Sequence, residues 1–214
     1  MYCVVWELAG RVVDLMDIFE RVGNLADLAE AISIQQQAVQ LTPNDHAEMP
    51  AHLNNLGNLY QCRFERTGNL SDISEAISAQ QQALQLTPNG HTDMPAHLNN
   101  LGNSYQCRFE RTGDLSDISE AISAQQRAVQ LTPTGHADRP GRLNNLGISF
   151  VRRFERTGKF SDIADAISAQ EQAIQLAPNG HADMPAHLNN LGNSYQCLFE
   201  RTGNVSDISE AILA

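Results

Sequence analysis

Apolar and small residues recur at helical spacing along this chain, separated by polar ones. In residues 95–111 they stand three or four positions apart, at Leu98, Leu101, Gly102, Tyr105 and Phe109. This spacing predicts an amphipathic helix, which we call helix A. Pro95 suits the first turn of that helix, and Gly113 is placed to end it in a left-handed cap.

A second helix, helix B, is predicted immediately after Gly113. Asp114 or Ser116 can cap its first turn, and Asp117 places negative charge at the positive end of the helix dipole. Its inner face consists of apolar residues: Ile118, Ala121, Ile122, Ala128 and Val129. We expect the helix to end near Leu131, where a polar loop leads to the next helix A.

This pair of helices recurs with a period of 45 residues. The block Phe-Glu-Arg-Thr-Gly begins at Phe64, Phe109, Phe154 and Phe199, and the related Phe-Glu-Arg-Val-Gly begins at Phe19. Because one helix pair cannot bury both of its apolar faces, neighbouring pairs must stack, and we expect an all-α superhelical solenoid. Its units are a degenerate N-terminal repeat or cap in residues 1–43, repeats in residues 44–88, 89–133 and 134–178, and a truncated repeat in residues 179–214.

The two ends of the chain depart from the repeat. Residues 1–21 align with helix A, but Leu8, Arg11, Val12 and Leu15 stand where other repeats have Leu, Leu, Gly and Tyr. Ala214 aligns with Ala124, so the last helix B is cut short, whereas a solenoid normally ends with a polar capping helix. Two interpretations stay open: the chain is a fragment of a larger protein, or its open end pairs with another copy.

The repeat resembles the tetratricopeptide repeat (TPR). That family's pattern of a large apolar residue, Leu-Gly, Tyr, two Ala and a closing Pro is matched at Leu98, Leu101-Gly102, Tyr105, Ala121, Ala128 and Pro133. Long-period members such as kinesin light chains carry a similar Leu-Asn-Asn-Leu stretch. The unit is also similar to near-identical arrays of large fungal proteins, where repeats accompany CHAT protease-like or receptor domains. The resemblance implies a right-handed superhelical solenoid of antiparallel helix pairs.

Each full helix A also carries amide side chains opposite its packed face. In the TPR family helix A lines the inner, concave wall, so the resemblance implies rows of amides along a groove. An amide offers both donors and an acceptor, which match the backbone of an extended peptide. The candidate peptide-binding residues are Asn54, Asn55, Asn58, Asn99, Asn100, Asn103, Gln106, Asn144, Asn145, Asn189, Asn190 and Asn193.

We expect these amides to bind an extended, uncharged or mildly basic segment of another protein. The resemblance points the same way, because concave-face asparagines hold extended peptides in kinesin light chains. The TPR clamp for C-terminal carboxylates needs Lys and Arg on that wall, where these repeats have Asn. Two alternatives stay open: the asparagines bond one another and only order the stack, or the array serves homotypic assembly or regulation within a larger fungal signalling protein.

Composition narrows the classes of partner and of compartment. The net charge of −11 disfavours nucleic acid and anionic membranes, because both attract basic proteins. Cys62, Cys107 and Cys197 occupy one position in three repeats, which suggests free thiols rather than a disulfide framework. The apolar run of the first residues is interrupted by Glu7, Arg11 and Asp14, so we expect neither a signal peptide nor a membrane span there. We expect a cytoplasmic protein.

Other polar groups have ordinary structural explanations. His91 and His97 flank Asp93, but the set is incomplete where Arg142 replaces the second histidine, so we expect no metal site. The arginine of the Phe-Glu-Arg-Thr-Gly block can favour the helix dipole or bridge to an aspartate of helix B such as Asp72. Catalysis needs unlike residues around one centre, whereas a repeat displays like residues in rows. We therefore expect no enzyme, no catalytic residue and no cofactor.

Overall fold

The computed structural model describes residues 2–178, 180–204 and 206, with side chains from Val5 onward. Within these residues the chain forms nine α-helices and no strand, which confirms the all-α prediction. The helices at A positions are Tyr2–Val22 (α1), Met49–Thr67 (α3), Met94–Thr112 (α5), Arg139–Thr157 (α7) and Met184–Thr202 (α9). Those at B positions are Leu25–Leu41 (α2), Leu70–Leu86 (α4), Leu115–Leu131 (α6) and Phe160–Leu176 (α8). The predicted open end at Ala214 lies outside the described residues.

The helix ends follow the local signals in the sequence. The side chain of Asp114 caps α6 by accepting a hydrogen bond from the Ser116 backbone N–H at 2.9 Å. Asn69 caps α4 in the same way, with a distance of 3.1 Å to the Ser71 backbone N–H. The glycine after each A helix has a positive φ, which is 73° at Gly113, so the left-handed cap is confirmed.

The chain divides into two compact units, Met1–Arg111 and Thr112–Ala214. In the first unit α1 packs on α2, α2 on α3, and α3 on α4. In the second unit α7 packs on α6, α8 and α9, and α8 also packs on α9. Fully buried alanines at equivalent positions of the B helices let the helices pack closely: Ala31, Ala76, Ala121 and Ala166.

The glycines of two Leu-Gly pairs lie in close contact with helix B. A Cβ atom on Gly57 of α3 would lie 2.5 Å from Cγ of Gln80 on α4 and 3.0 Å from the Ala76 carbonyl oxygen. On Gly147 of α7 it would lie 2.6 Å from Cγ of Gln170 on α8. These positions therefore have no room for a side chain unless the facing glutamine moves.

The ion pair between helices A and B does not involve the arginine that the sequence suggested. Asp72 is buried and binds Arg63 through two contacts of 2.6 and 2.9 Å, and Asp162 binds Arg153 in the same way at 2.8 and 2.9 Å. Arg66 instead lies over the Phe19 ring, 5.4 Å from its centroid. Arg63 therefore contacts helix B, whereas Arg66 contacts α1 of the preceding repeat.

Candidate peptide-binding site

Some of the predicted groove asparagines hydrogen-bond one another between successive A helices. In the first unit, Nδ2 of Asn100 on α5 donates to Oδ1 of Asn54 on α3 at 3.2 Å. In the second unit, Nδ2 of Asn190 on α9 donates to Oδ1 of Asn144 on α7 at 3.1 Å. Asn54 and Asn144 are each only 7% exposed. These four amides therefore order neighbouring helices, as the structural alternative predicted.

The remaining candidates differ in exposure. Asn58 is exposed, and its Oδ1 accepts a hydrogen bond from Gln80 Nε2 at 3.1 Å. Gln106 is partly buried and donates to Glu110 at 3.1 Å. The other partly buried candidates, which make interactions of their own, are Asn99, Asn103 and Asn145. The other exposed candidates are Asn55, Asn189 and Asn193.

A second polar contact between α3 and α5 was not expected from the sequence. The Ser104 hydroxyl donates to Gln61 Oε1 at 2.8 Å, and Gln61 Nε2 donates to Cys107 Sγ at 3.6 Å. The Cys107 thiol lies 3.7 Å from Oε1 of Glu65. Burial and then the Glu65 charge raise the pKa of Cys107 to about 12, so this thiol stays protonated near neutral pH.

The first unit contains a cavity of about 840 Å³ lined by α1 and α3, with the end of α2 and the following loop between them. Two of the predicted site residues, Asn55 and Asn58, lie in its α3 wall. The α1 wall is apolar: Val5, Trp6, Ala9, Val12, Val13 and Met16. Trp6 is 82% exposed and Val13 is 60% exposed, although both are large apolar residues.

The polar groups around this cavity are mostly acidic or neutral. Asp17 of α1 and Glu48 before α3 both line it. Nε2 of His52 is buried without a hydrogen-bond partner, and it lies 3.9 Å from Glu48 Oε2, beyond hydrogen-bond distance. Burial is the largest influence on His52 and lowers its pKa, so its imidazole is neutral at pH 7. The cavity can therefore accept apolar groups and a cation at its rim.

Asn55 lies at this cavity without a partner amide on α1, although its counterpart in the next repeat has one on α3. Asn100 of α5, which is equivalent to Asn55, bonds Asn54 on the preceding A helix. The residue of α1 that is equivalent to Asn54 is Ala9, whose methyl group accepts no hydrogen bond. Ala9 and Asn55 line the same cavity. This difference could have been found in the sequence by aligning α1 with the other A helices at each residue that lines the cavity.

Two histidines near the start of α5 have structural contacts. His97 Nδ1 lies 3.0 Å from the Thr87 hydroxyl oxygen, and His91 Nδ1 accepts from the Asp93 backbone N–H at 3.2 Å. Among the described residues, no group of three or more His, Cys, Asp or Glu side chains is placed to hold a metal ion. None of the helices in that part of the chain combines the length and apolar character needed to cross a membrane.

Comparison with known proteins identifies the fold. No protein-family model and no curated protein matches the chain. A crystal structure of nearly identical TPR-like repeats from a putative kinesin light chain of Podosopora anserina matches with a TM-score of 0.65 and 16% identity, over 95% of this chain and 94% of that one. BtubC from P. vanneervenii matches with a TM-score of 0.56 and 18% identity, over 98% and 85% of the two chains. MamA matches with a TM-score of 0.56 and 21% identity, over 87% and 88%.

Proposed function

We propose that this chain, a TPR-like repeat protein in its fold, is a protein-interaction scaffold that binds an extended peptide segment along its A helices. The observation that carries the proposal is the position of Asn55 and Asn58. Both amides are exposed, they lie one turn apart on α3, and they border the cavity lined by α1 and α3. A ligand backbone that crosses α3 there can exchange hydrogen bonds with both side chains.

The buried amides prepare this surface rather than contact the ligand. The bond between Asn100 and Asn54 fixes α5 against α3 before a ligand arrives. A groove that is already ordered binds with a smaller loss of conformational entropy. Of the predicted residues in the first unit, we therefore assign ligand contact to Asn55 and Asn58, and helix alignment to Asn54 and Asn100.

The charge of the chain favours an uncharged or mildly basic partner segment. The net charge is −11, so a strongly acidic peptide would be repelled. Cys62, Cys107 and Cys197 are free thiols, which fits a reducing compartment such as the cytoplasm.

The test replaces the two exposed amides together, as Asn55→Ala and Asn58→Ala. Two hydrogen bonds of about 0.5–1.5 kcal/mol each are lost, so we expect roughly tenfold weaker peptide binding. Asn58→Ala also removes the acceptor of Gln80 Nε2 and should lower the melting temperature, so Asn55→Ala is also measured alone. The ligands are capped ten-residue synthetic peptides enriched from a random bead library on the intact protein. Binding is measured by calorimetry.

The control replaces an exposed loop asparagine, Asn89→Ala, which lies outside the A helices and outside the loop that lines the cavity. It should bind the same peptides as tightly as the original chain does. Equal affinity for the Asn55/Asn58 variant and the original chain would exclude these amides as the peptide site. Replacing Asn100 would be less informative, because its loss also removes the bond to Asn54.

A further inference from the structure

We propose that the cavity lined by α1 and α3 is an anchor pocket, which takes large apolar side chains of a partner peptide that also carries a basic residue. This inference rests on the proposed function, because the same peptide would lie across Asn55 and Asn58. It goes further by naming where the peptide is anchored and which residues it must contain. Four observations support it.

The first observation is a second apolar stripe on α1. One face of this helix packs on α2 through Val5, Leu8, Val12 and Leu15. A different stripe, three to four residues apart, consists of Trp6, Ala9, Val13 and Met16, and these four residues line the cavity. A helix with two apolar faces normally has partners on both. Within the described residues, the second stripe borders the cavity, and Trp6 and Val13 remain mostly exposed.

The second observation is that the repeat is altered where the cavity lies. The positions of Ala9, Val13 and Met16 on α1 are occupied in α3 by Asn54, Asn58 and Gln61. The position of Trp6 is occupied by Ala51. On the opposite wall, α3 has Leu59 where α5, α7 and α9 have Ser104, Ser149 and Ser194. α7 also has apolar residues, Ile148 and Val151, at the positions of Val13 and Met16. Only α1 and α3 combine this change with a leucine on the facing helix, since α9 has Ser194 at the position of Leu59.

The third observation is a polar atom without a hydrogen-bond partner in the wall of the pocket. His52 is 8% exposed and lines the cavity, and its Nε2 is buried without a hydrogen-bond partner. A buried polar group without a partner costs roughly 1–3 kcal/mol. A polar group of a bound peptide can supply the missing hydrogen bond once the imidazole turns towards the cavity.

The fourth observation is the charge at the rim. Asp17 of α1 and Glu48 before α3 line the cavity, and the cavity-lining residues include no Lys or Arg. A lysine or arginine next to the apolar anchor is attracted to these carboxylates. A volume of about 840 Å³ lies within the range of about 300–1,000 Å³ that is usual for ligand pockets, which leaves room for two large side chains.

The same charges argue against a second copy of the chain as the occupant. Two copies with a net charge of −11 each repel one another, and the rim of the pocket adds negative charge at the contact. A small apolar molecule would fill the volume but would make no hydrogen bond to Asn55 and no ion pair with the rim carboxylates. A basic, apolar peptide satisfies all of these groups, and it is the occupant that we propose.

The experiment compares the intact chain with a variant in which α1 carries the residues found in α3, α5 and α9. This variant, Val13→Asn with Met16→Gln, should fold because α3 has Asn58 and Gln61 at the equivalent positions. Peptides are enriched from the random bead library on the intact chain. We expect enriched peptides with two large apolar residues and a Lys or Arg, and roughly tenfold or more weaker binding to the variant.

A second readout uses Trp6, which is the only tryptophan of the chain. A bound peptide should shift its fluorescence to shorter wavelength and protect it from acrylamide quenching. Trp6→Ala, which introduces the residue found in α3 as Ala51, should weaken binding even if the double variant fails to fold. Asp17→Asn should reduce the preference for basic over uncharged peptides.

The outcomes separate this inference from the proposed function. If enriched peptides are polar, and bind the Val13/Met16 variant normally but the Asn55/Asn58 variant weakly, the anchor pocket is wrong and the amide site stands. If no peptide is enriched on the intact chain, both proposals are wrong. Binding of the neutral dye N-phenyl-1-naphthylamine without enrichment of any peptide would also overturn the peptide occupant.

Discussion

His97 is buried where α5 begins, and its hydrogen bond defines its protonation. The Thr87 hydroxyl donates to the Ala83 carbonyl oxygen at 2.7 Å, so its oxygen can only accept from His97 Nδ1 at 3.0 Å. The imidazole is therefore the Nδ1–H tautomer. Burial, opposed in part by the Asp93 carboxylate, lowers the pKa of His97 below its usual 6.5. His52 and His187, at equivalent positions, are shifted in the same direction for the same main reason.

We predict that these histidines make the protein less stable as the solution becomes acidic. Below pH 6.5 the unfolded chain binds protons that the folded chain does not, so the free energy of unfolding decreases as the pH falls towards the lower folded pKa. Above pH 6.5 their stabilising contribution is complete. His97→Gln should reduce the difference between urea unfolding curves measured at about pH 7.5 and about pH 5.5.

The exposed His91 provides the comparison, because His91→Gln changes a loop histidine of the same repeat. This control should keep the full pH dependence of the original chain. If His97→Gln and the original chain lose the same stability between the two pH values, buried His97 is not a source of the pH dependence.

At the scale of the element, helices A and B depend on a glycine contact that normal helix propensity would disfavour. Glycine in a helix costs roughly 1 kcal/mol relative to alanine. Gly57 nevertheless lies where a Cβ atom would meet Gln80 and the Ala76 carbonyl oxygen. Gly10, in α1, has no atom within 4 Å of the place where its Cβ would be. A comparison of the two glycines therefore separates the effect of close packing on stability from the effect of helix propensity.

We predict opposite effects for the two glycine-to-alanine changes. Gly57→Ala should lower the free energy of unfolding by about 1–3 kcal/mol, because Gln80 and the α4 backbone must move. Gly10→Ala should raise the free energy of unfolding by up to about 1 kcal/mol. Chemical denaturation of both variants checks the pair. A stabilising Gly57→Ala would show that α3 and α4 do not pack as closely as described.

Much of the element structure was predictable because each signal acts locally. The spacing of Leu98, Leu101 and Tyr105 indicated α5. Gly113 indicated the end of α5, and Asp114 indicated the start of α6. Sequence spacing alone could not predict whether Arg63 or Arg66 forms the ion pair with Asp72. The pairing depends on which side of the last turn faces helix B, and that requires the packing of the two helices.

At the scale of the whole molecule, repetition predicted the helices but not the use of the repeated residues. Asn54 and Asn55 are adjacent in the sequence, yet one is buried between helices and the other is exposed at the cavity. The bond from Asn100 to Asn54 crosses 46 residues, so it depends on how the first unit stacks. The cavity depends on α1, whose wall residues differ from the repeat. A hypothesis that treats all repeats alike cannot locate it.

The most direct test of the central claim is an NMR titration that observes the asparagine side-chain amides of the ¹⁵N-labelled chain. A peptide enriched on the intact protein is added, and the NH₂ signals are assigned by single substitutions. The account predicts that the signals of Asn55 and Asn58 shift in proportion to saturation, while that of the loop residue Asn89 stays unchanged. Saturable binding that leaves the Asn55 and Asn58 signals in place would contradict it.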